Sequence, residues 1–318
     1  MPFVQTPNLN IHYELAGAND TILVLIHGYF ASWRWWQPVL NQLPADYCAY
    51  APDLRGCGDT ERPPDGYTIQ QLVSDLHDFA TALNLPPFHL VGHSLGGVVA
   101  LQFAMDHLEC LRTLTLIAPA PAEGMAVFSK GKPSLPPPMH LFEFRREASL
   151  DMLDATYRFL RSLEANRPLL RRALKRMLPG LIDDPLFAAL VDDAARMAPE
   201  AVIGYMQSVA AWNVQAELDK VQTPAIILWG DRDTMIPEAA PLKRTARGLR
   251  GRLVIWKNVG HAPQLEQPKR FIRFLKRFIE RNPAVPTAGE QNWLGSLRDR
   301  MNNILSDLSG RRPGSANR

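Results

Sequence analysis

Two hydrophobic periodicities alternate along the chain. Leu9-Asn10-Ile11-His12-Tyr13-Glu14 repeats every second residue, the pattern of a strand. Short apolar runs at 21–26, 47–51, 88–91, 114–118, 225–229 and 252–256 predict the remaining strands of a sheet. Between them the spacing lengthens to the helical period. Ile69, Leu72, Val73, Leu76, Phe79, Ala80 and Leu83 form one apolar face, and Phe271, Ile272, Leu275, Phe278 and Ile279 form another. Residues 97–104 also read as helix. The alternation of strand and helix predicts an α/β fold with a mostly parallel, doubly wound sheet.

The pattern is interrupted once and extended once. After the strand ending at Ala118 and Pro119, no convincing core strand begins before Ala225. A proline-rich lead-in, residues 132–138, is followed by helical sequence from about Arg145 to Trp212. At the other end, Leu294, Leu297, Met301, Ile304, Leu305 and Leu308 form an amphipathic stripe, closed by Gly310 and Arg311-Arg312. A single helix of this kind is marginal alone. It is expected to dock on its own core, on a second subunit, or on a lipid surface.

Candidate chemistry lies where strands end. Gly92-His93-Ser94-Leu95-Gly96 joins the strand at 88–91 to the helix at 97–104. A serine on such a turn is held in a strained conformation, with its hydroxyl exposed at a helix N-terminus beside the backbone N–H of Leu95. Two carboxylates, Asp231 and Asp233, follow the strand at 225–229, and His261 follows the strand at 252–256. Loops beyond the C-terminal ends of neighbouring strands in an open α/β sheet meet in one crevice, so the three can converge. His261 would then take the Ser94 proton while a carboxylate fixes its tautomer.

Over residues 1–282 the chain resembles the α/β-hydrolase fold superfamily, the lipase, esterase and C–C hydrolase group with an inserted cap. The resemblance implies a core of residues 1–119 and 214–282, a helical cap at 120–213 over Ser94, and a linker with the amphipathic helix at 283–318. It favours Asp233 over Asp231, through Gly230-x-x-Asp233-x-x-x-Pro237, and matches Gly260-His261-Ala262-Pro263 with Leu265-Glu266-Gln267-Pro268. It implies an oxyanion hole from the backbone N–H groups of Tyr29, with Phe30 as runner-up, and Leu95. His27 and His93 take bracing and packing roles. In Asp53-Leu54-Arg55-Gly56-Cys57-Gly58-Asp59, Asp53 and Arg55 are expected to satisfy loop backbone groups and each other. Relatives that open epoxides or remove halide carry aspartate where Ser94 stands. Leu95, His93 with Tyr29, and Val98 depart from the prolyl aminopeptidase, meta-cleavage hydrolase and menaquinone-pathway lyase patterns respectively. What survives is hydrolysis of a carboxylic ester of a small or medium apolar substrate through an acyl-enzyme. Thioester or C–C cleavage on the same triad is the alternative, and a non-catalytic binding protein the remote one. No metal or organic cofactor is implied.

Composition narrows the setting. With 318 residues, 46% of them hydrophobic, the chain can bury a large core. A net charge of +3 is too small to imply nucleic acid. Cys48, Cys57 and Cys110 lack metal-ligand spacing, and their odd number argues for a reducing compartment. The start of the chain lacks a signal-peptide pattern and no apolar run is long enough to span a bilayer, so a cytoplasmic location is expected. Arg171, Arg172, Lys175 and Arg176 read as a solvated face over a leucine stripe. Among Trp33, Trp35 and Trp36, one or two are expected to anchor the following helix in the core.

Overall fold

The structure is a computed structural model that describes residues 2–125, 127, 167–182 and 184–283. The proline-rich lead-in, the first part of the cap insertion and the amphipathic tail lie outside the described residues.

Eight strands form one sheet: β1 (Phe3–Gln5), β2 (Asn10–Gly17), β3 (Thr21–Ile26), β4 (Tyr47–Pro52), β5 (Phe88–His93), β6 (Leu111–Ile117), β7 (Ala225–Gly230) and β8 (Arg252–Trp256). Their order is β1-β2-β4-β3-β5-β6-β7-β8. β1 and β2 are antiparallel additions, and β3 to β8 all run parallel, each paired with its neighbour in that order. The helices of ten or more residues are α1 (Ile69–Ala82), α2 (Leu95–Asp106), α3 (Arg167–Met177), α4 (Pro185–Ala195), α5 (Pro199–Ala211), α6 (Ala239–Gly248) and α7 (Pro268–Glu280).

The continuous apolar runs become strands because both faces of the sheet are covered. On one face Leu23, Leu25, Ala49, Val91, Leu228 and Trp256 pack under the turns at 33–40 and under Phe271 and Leu275 of α7. The other face carries α1, α2 and α6, where Leu242 of α6 meets Ala118 and Trp229. All three neighbouring tryptophans, Trp33, Trp35 and Trp36, are buried. The expected outward alternation of β2 breaks at His12, which is fully buried. Its Nδ1 meets Asp53 Oδ2 at 2.7 Å, so a polar residue points inward because a buried carboxylate waits for it.

The loop after β4 needs one correction. Asp53 and Arg55 do not pair with each other. Arg55 makes a bidentate pair with Asp75 of α1, at 2.8 and 2.7 Å. Asp53 instead accepts from the N–H groups of Trp33 (2.7 Å) and Asp59 (3.1 Å). Cys57 is buried there, and burial pushes its thiol pKa up, as suits a small filler.

α3, α4 and α5 lie within the interruption between β6 and β7, and several ties fix α4 and α5 to the core. The Ala198 N–H donates to Gly56 O (2.9 Å), the Tyr205 hydroxyl to Arg55 O (2.6 Å), and the Tyr29 hydroxyl to Val202 O. Asp193, buried on α4, accepts from Ser32 and pairs with Arg34 (3.1 Å) and Arg196 (2.8 Å). No helix among the described residues is long and apolar enough to cross a membrane.

Candidate active site

Ser94 stands between β5 and α2 with φ +54° and ψ −116°, a conformation few non-glycine residues adopt. Close packing imposes it. A Cβ on Gly96 would lie 2.4 Å from Ile26 O, and one on Gly92 would lie 2.2 Å from Gly96 O. Both contacts are with backbone, which cannot swing aside. Gly96→Ala is therefore expected to cost at least the ~1–3 kcal/mol of an overpacked core, read as a fall of several degrees in Tm.

The turn is pinned from both sides. Ser94 N–H donates to Ile117 O (2.9 Å), and Ser94 O accepts from Gly97 N–H (2.9 Å) and Val98 N–H (3.2 Å). The N–H groups of Tyr29 and Leu95 donate to no described residue, and both residues line the cavity that Ser94 faces. Phe30, beside Tyr29, also has positive φ (+53°).

The structure brings Asp233 and His261 together. Asp233 Oδ2 lies 2.8 Å from His261 Nδ1, with both side chains buried. Asp233 Oδ1 accepts from the N–H groups of Met235 (2.7 Å) and Ile236 (3.0 Å), so the side chain is held with Oδ2 aimed at the ring. A carboxylate at Nδ1 places the imidazole proton there and leaves the Nε2 lone pair free. That Nε2 is buried, has no partner among the described residues, and His261 shares the cavity with Ser94. Asp231 is turned elsewhere: it accepts from Asn258 N–H (2.7 Å) and lies 3.4 Å from Lys257.

His27 and His93 hold backbone. His27 Nε2 accepts from Leu54 N–H (3.0 Å) and Nδ1 donates to Gly28 O (2.8 Å), which ties the loop after β3 to the loop after β4. His93 Nε2 donates to His261 O (2.9 Å), and the ring stacks on Trp35 at 5.2 Å. Burial holds the His93 pKa well below its ordinary value, so the ring stays neutral. Sequence reasoning missed Glu266, whose two carboxylate oxygens accept from Gly260 N–H at 3.0 Å immediately before His261. Burial raises its carboxyl pKa. The signal was present in Leu265-Glu266-Gln267-Pro268, since an acid at the start of a short helix can reach back to the preceding backbone.

The cavity holds about 180 Å³. Its wall is apolar apart from Ser94, His261 and two tyrosines, and those tyrosine hydroxyls are already tied to backbone carbonyls. α5 supplies the roof with Met206, Val209 and Ala210, while Met125 and Met235 line the sides. Methionines make such a wall adaptable. Among the described residues no three His, Cys, Asp or Glu side chains converge as metal ligands.

A model of the alpha/beta hydrolase family matches residues 23–274. The chain is 27% identical over 261 residues to the pimeloyl-(acyl-carrier protein) methyl ester esterase of Aeromonas salmonicida, spanning 81% of this chain and 94% of that protein. It is 35% identical over 107 residues to the soluble epoxide hydrolase of a Corynebacterium strain, spanning 34% of this chain and 37% of that one. Among solved structures, the enol-lactonase of Burkholderia xenovorans aligns with a TM-score of 0.71 at 20% identity, covering 88% of this chain and 100% of that chain; this likeness concerns the fold.

Proposed function

This chain belongs to the α/β-hydrolase family and is a hydrolase, and from that premise we propose that it cleaves carboxylic esters of small or medium apolar acyl groups through an acyl-enzyme. The observation that carries the reading is the buried Asp233–His261 pair, whose unpartnered Nε2 shares an apolar cavity with Ser94.

Ser94 Oγ attacks the ester carbonyl as His261 Nε2 takes its proton. Asp233 fixes the tautomer and stabilises the imidazolium without becoming protonated itself. The carbonyl oxygen becomes an oxyanion, which the N–H groups of Leu95 and Tyr29, without acceptors among the described residues, receive. Collapse expels the alkoxide, which takes the proton from His261. Water, deprotonated by the same Nε2, then attacks the acyl-Ser94 carbonyl; the bond to Ser94 Oγ breaks, Oγ takes the proton back from His261, and the carboxylic acid leaves.

Serine chemistry also separates this chain from its epoxide hydrolase relative. Opening an epoxide with Ser94 would leave an ether, which has no carbonyl for water to attack. A serine ester does have one, so turnover requires an acyl substrate.

An organophosphonate probe tests the reading directly. Wild type should label once, at Ser94, and Ser94→Ala should not label. A folded wild-type protein that refuses the probe would point instead to a non-catalytic binder. Hydrolysis of p-nitrophenyl esters of increasing chain length, beside a panel of acyl-CoA thioesters, should show a clear optimum among the oxygen esters. A preference for thioesters would overturn the ester assignment while leaving the triad intact.

A further inference from the structure

At the outer edge of the sheet, α7 and the edge strand β8 line a groove of about 480 Å³ that shares no lining residue with the cavity at Ser94. Arg270, Arg273, Arg277 and Arg281 recur along α7 and its C-terminal cap at intervals of three and four residues, and Arg252 of β8 faces the same groove. Its floor is apolar: Ile226, Val254, Phe274 and Phe278. Arg270 lies 4.1 Å over the Trp256 ring, and its Nη1 donates to Gln267 Oε1 at 2.8 Å, a neutral partner that leaves the positive charge unpaired by any described carboxylate.

Among the described residues the charge is uncompensated. None of these five arginines forms an ion pair with a described carboxylate, and Glu280, the one acid of α7, sits 4.0 Å from Lys276 instead. Like charges three and four positions apart destabilise a helix. The helix dipole favours Arg277 and Arg281 at the C-terminal end, but it opposes Arg270 in the first turn. Residues 268–281 carry six cations against one acid, a surplus larger than the net +3 of the whole chain, so the remainder is net negative. A basic balance spread evenly would mean little. Concentrated around one groove, it describes a binding surface.

The chemistry selects the occupant. A second copy would bring arginines against arginines, which repels. Guanidinium groups grip phosphate oxygens bidentately, whereas the aliphatic and aromatic floor has nothing to offer a purely polar polyanion. An amphiphile with a phosphate head and acyl tails satisfies both. We infer that this groove docks the protein on anionic phospholipid at a membrane surface, with phosphates on the arginine rim and acyl chain ends against Phe274 and Phe278. The proposal does not depend on the catalytic reading.

Flotation of the full chain tests it, with vesicles of phosphatidylcholine alone and of phosphatidylcholine mixed with phosphatidylglycerol. The protein should float with the mixed vesicles, not with the neutral ones, and should be released as salt rises from about 0.05 to about 0.5 M. Arg273→Gln/Arg277→Gln should lower partitioning by about tenfold or more, since each basic side chain near an anionic leaflet contributes comparably. Glutamine is a good helix former, and a thermal melt verifies the fold. Arg273→Lys/Arg277→Lys should retain much of the binding, and Arg171→Gln/Arg172→Gln on α3, an equal charge loss elsewhere, should change nothing. Failure to bind mixed vesicles overturns the proposal. So does equal binding by Arg273→Gln/Arg277→Gln, which would move the contact to another part of the chain. Groove-dependent binding of soluble pyrophosphate or of a nucleic-acid duplex without vesicle binding would make the occupant a free polyanion, and the membrane assignment would fall.

Discussion

Replacing Ser94 or His261 with alanine is expected to lower kcat on a soluble ester by about 10⁶, the loss seen when a member of a serine triad is removed. The expectation follows from how the three groups share one proton path. Ser94 without a base is an alcohol of high pKa, and His261 without Ser94 has no nucleophile to activate. Asp233→Asn should cost about 10⁴, because an amide at Nδ1 favours the wrong tautomer and withdraws the charge that stabilises imidazolium. Asp231→Asn should stay within a few-fold of wild type, since that carboxylate faces Lys257 and Asn258. Steady-state rates on one p-nitrophenyl ester, with melting curves to show that each variant is folded, decide the matter. If Asp231→Asn is the crippled variant and Asp233→Asn is not, the acid has been misassigned.

What the sequence revealed and what it hid divide along range of interaction. The strand at 21–26 was legible residue for residue, because burial on both faces writes a continuous apolar run into the chain, and the edge strand at 252–256 kept an apolar run although only Trp256 is buried. β1 was not, since Phe3–Gln5 is short and partly exposed and is held only by pairing with β2. α6 was missed for a related reason: Ala239–Gly248 carries Pro241 and three basic residues, and only packing of Leu242 and its neighbours against β7 and β8 makes it worth forming.

The candidate site divides in the same way. Ser94, Asp233 and His261 each sit in a short local pattern that a strand end requires, so their neighbourhoods could be read before any geometry was known. Partners chosen across the fold could not. Arg55 and Asp53 are two residues apart, yet one turns to Asp75 and the other to His12 and the Trp33 N–H. The wall of the cavity is equally distributed, with Met125, Met206 and Met235 arriving from three separate stretches. Apolar residues lining a cavity and apolar residues filling a core look the same in sequence.

Stability is expected to fall steeply as pH drops from about 6.5 toward about 4, because three buried histidines are held neutral. Burial is the first cause for His27, His89 and His93 alike, and it lowers all three pKa values, that of His89 to about 4. The sign follows from proton uptake. Below about 6.5 the unfolded chain binds these protons while the folded chain refuses them, so the stability present above that pH is progressively lost on acidification. Each such histidine removes about 1.4 kcal/mol per pH unit, so His89 alone accounts for about 3 kcal/mol over its window. Glu266 acts in the opposite direction, since burial raises its pKa and acid relieves the cost of its charge, but it is one group against three. Against a total of about 5–15 kcal/mol, the histidines decide the outcome. Urea unfolding at successive pH values measures the slope, and His89→Gln, which removes one of the three proton sites, should flatten it by about a third. A stability unchanged between neutral and mildly acidic pH would mean that these rings are protonated inside the fold. Their hydrogen bonds to Gly28 O, Thr113 Oγ1 and His261 O would then hold cations, and the loops that carry the proposed oxyanion hole and His261 would have to be charged structures rather than neutral ones.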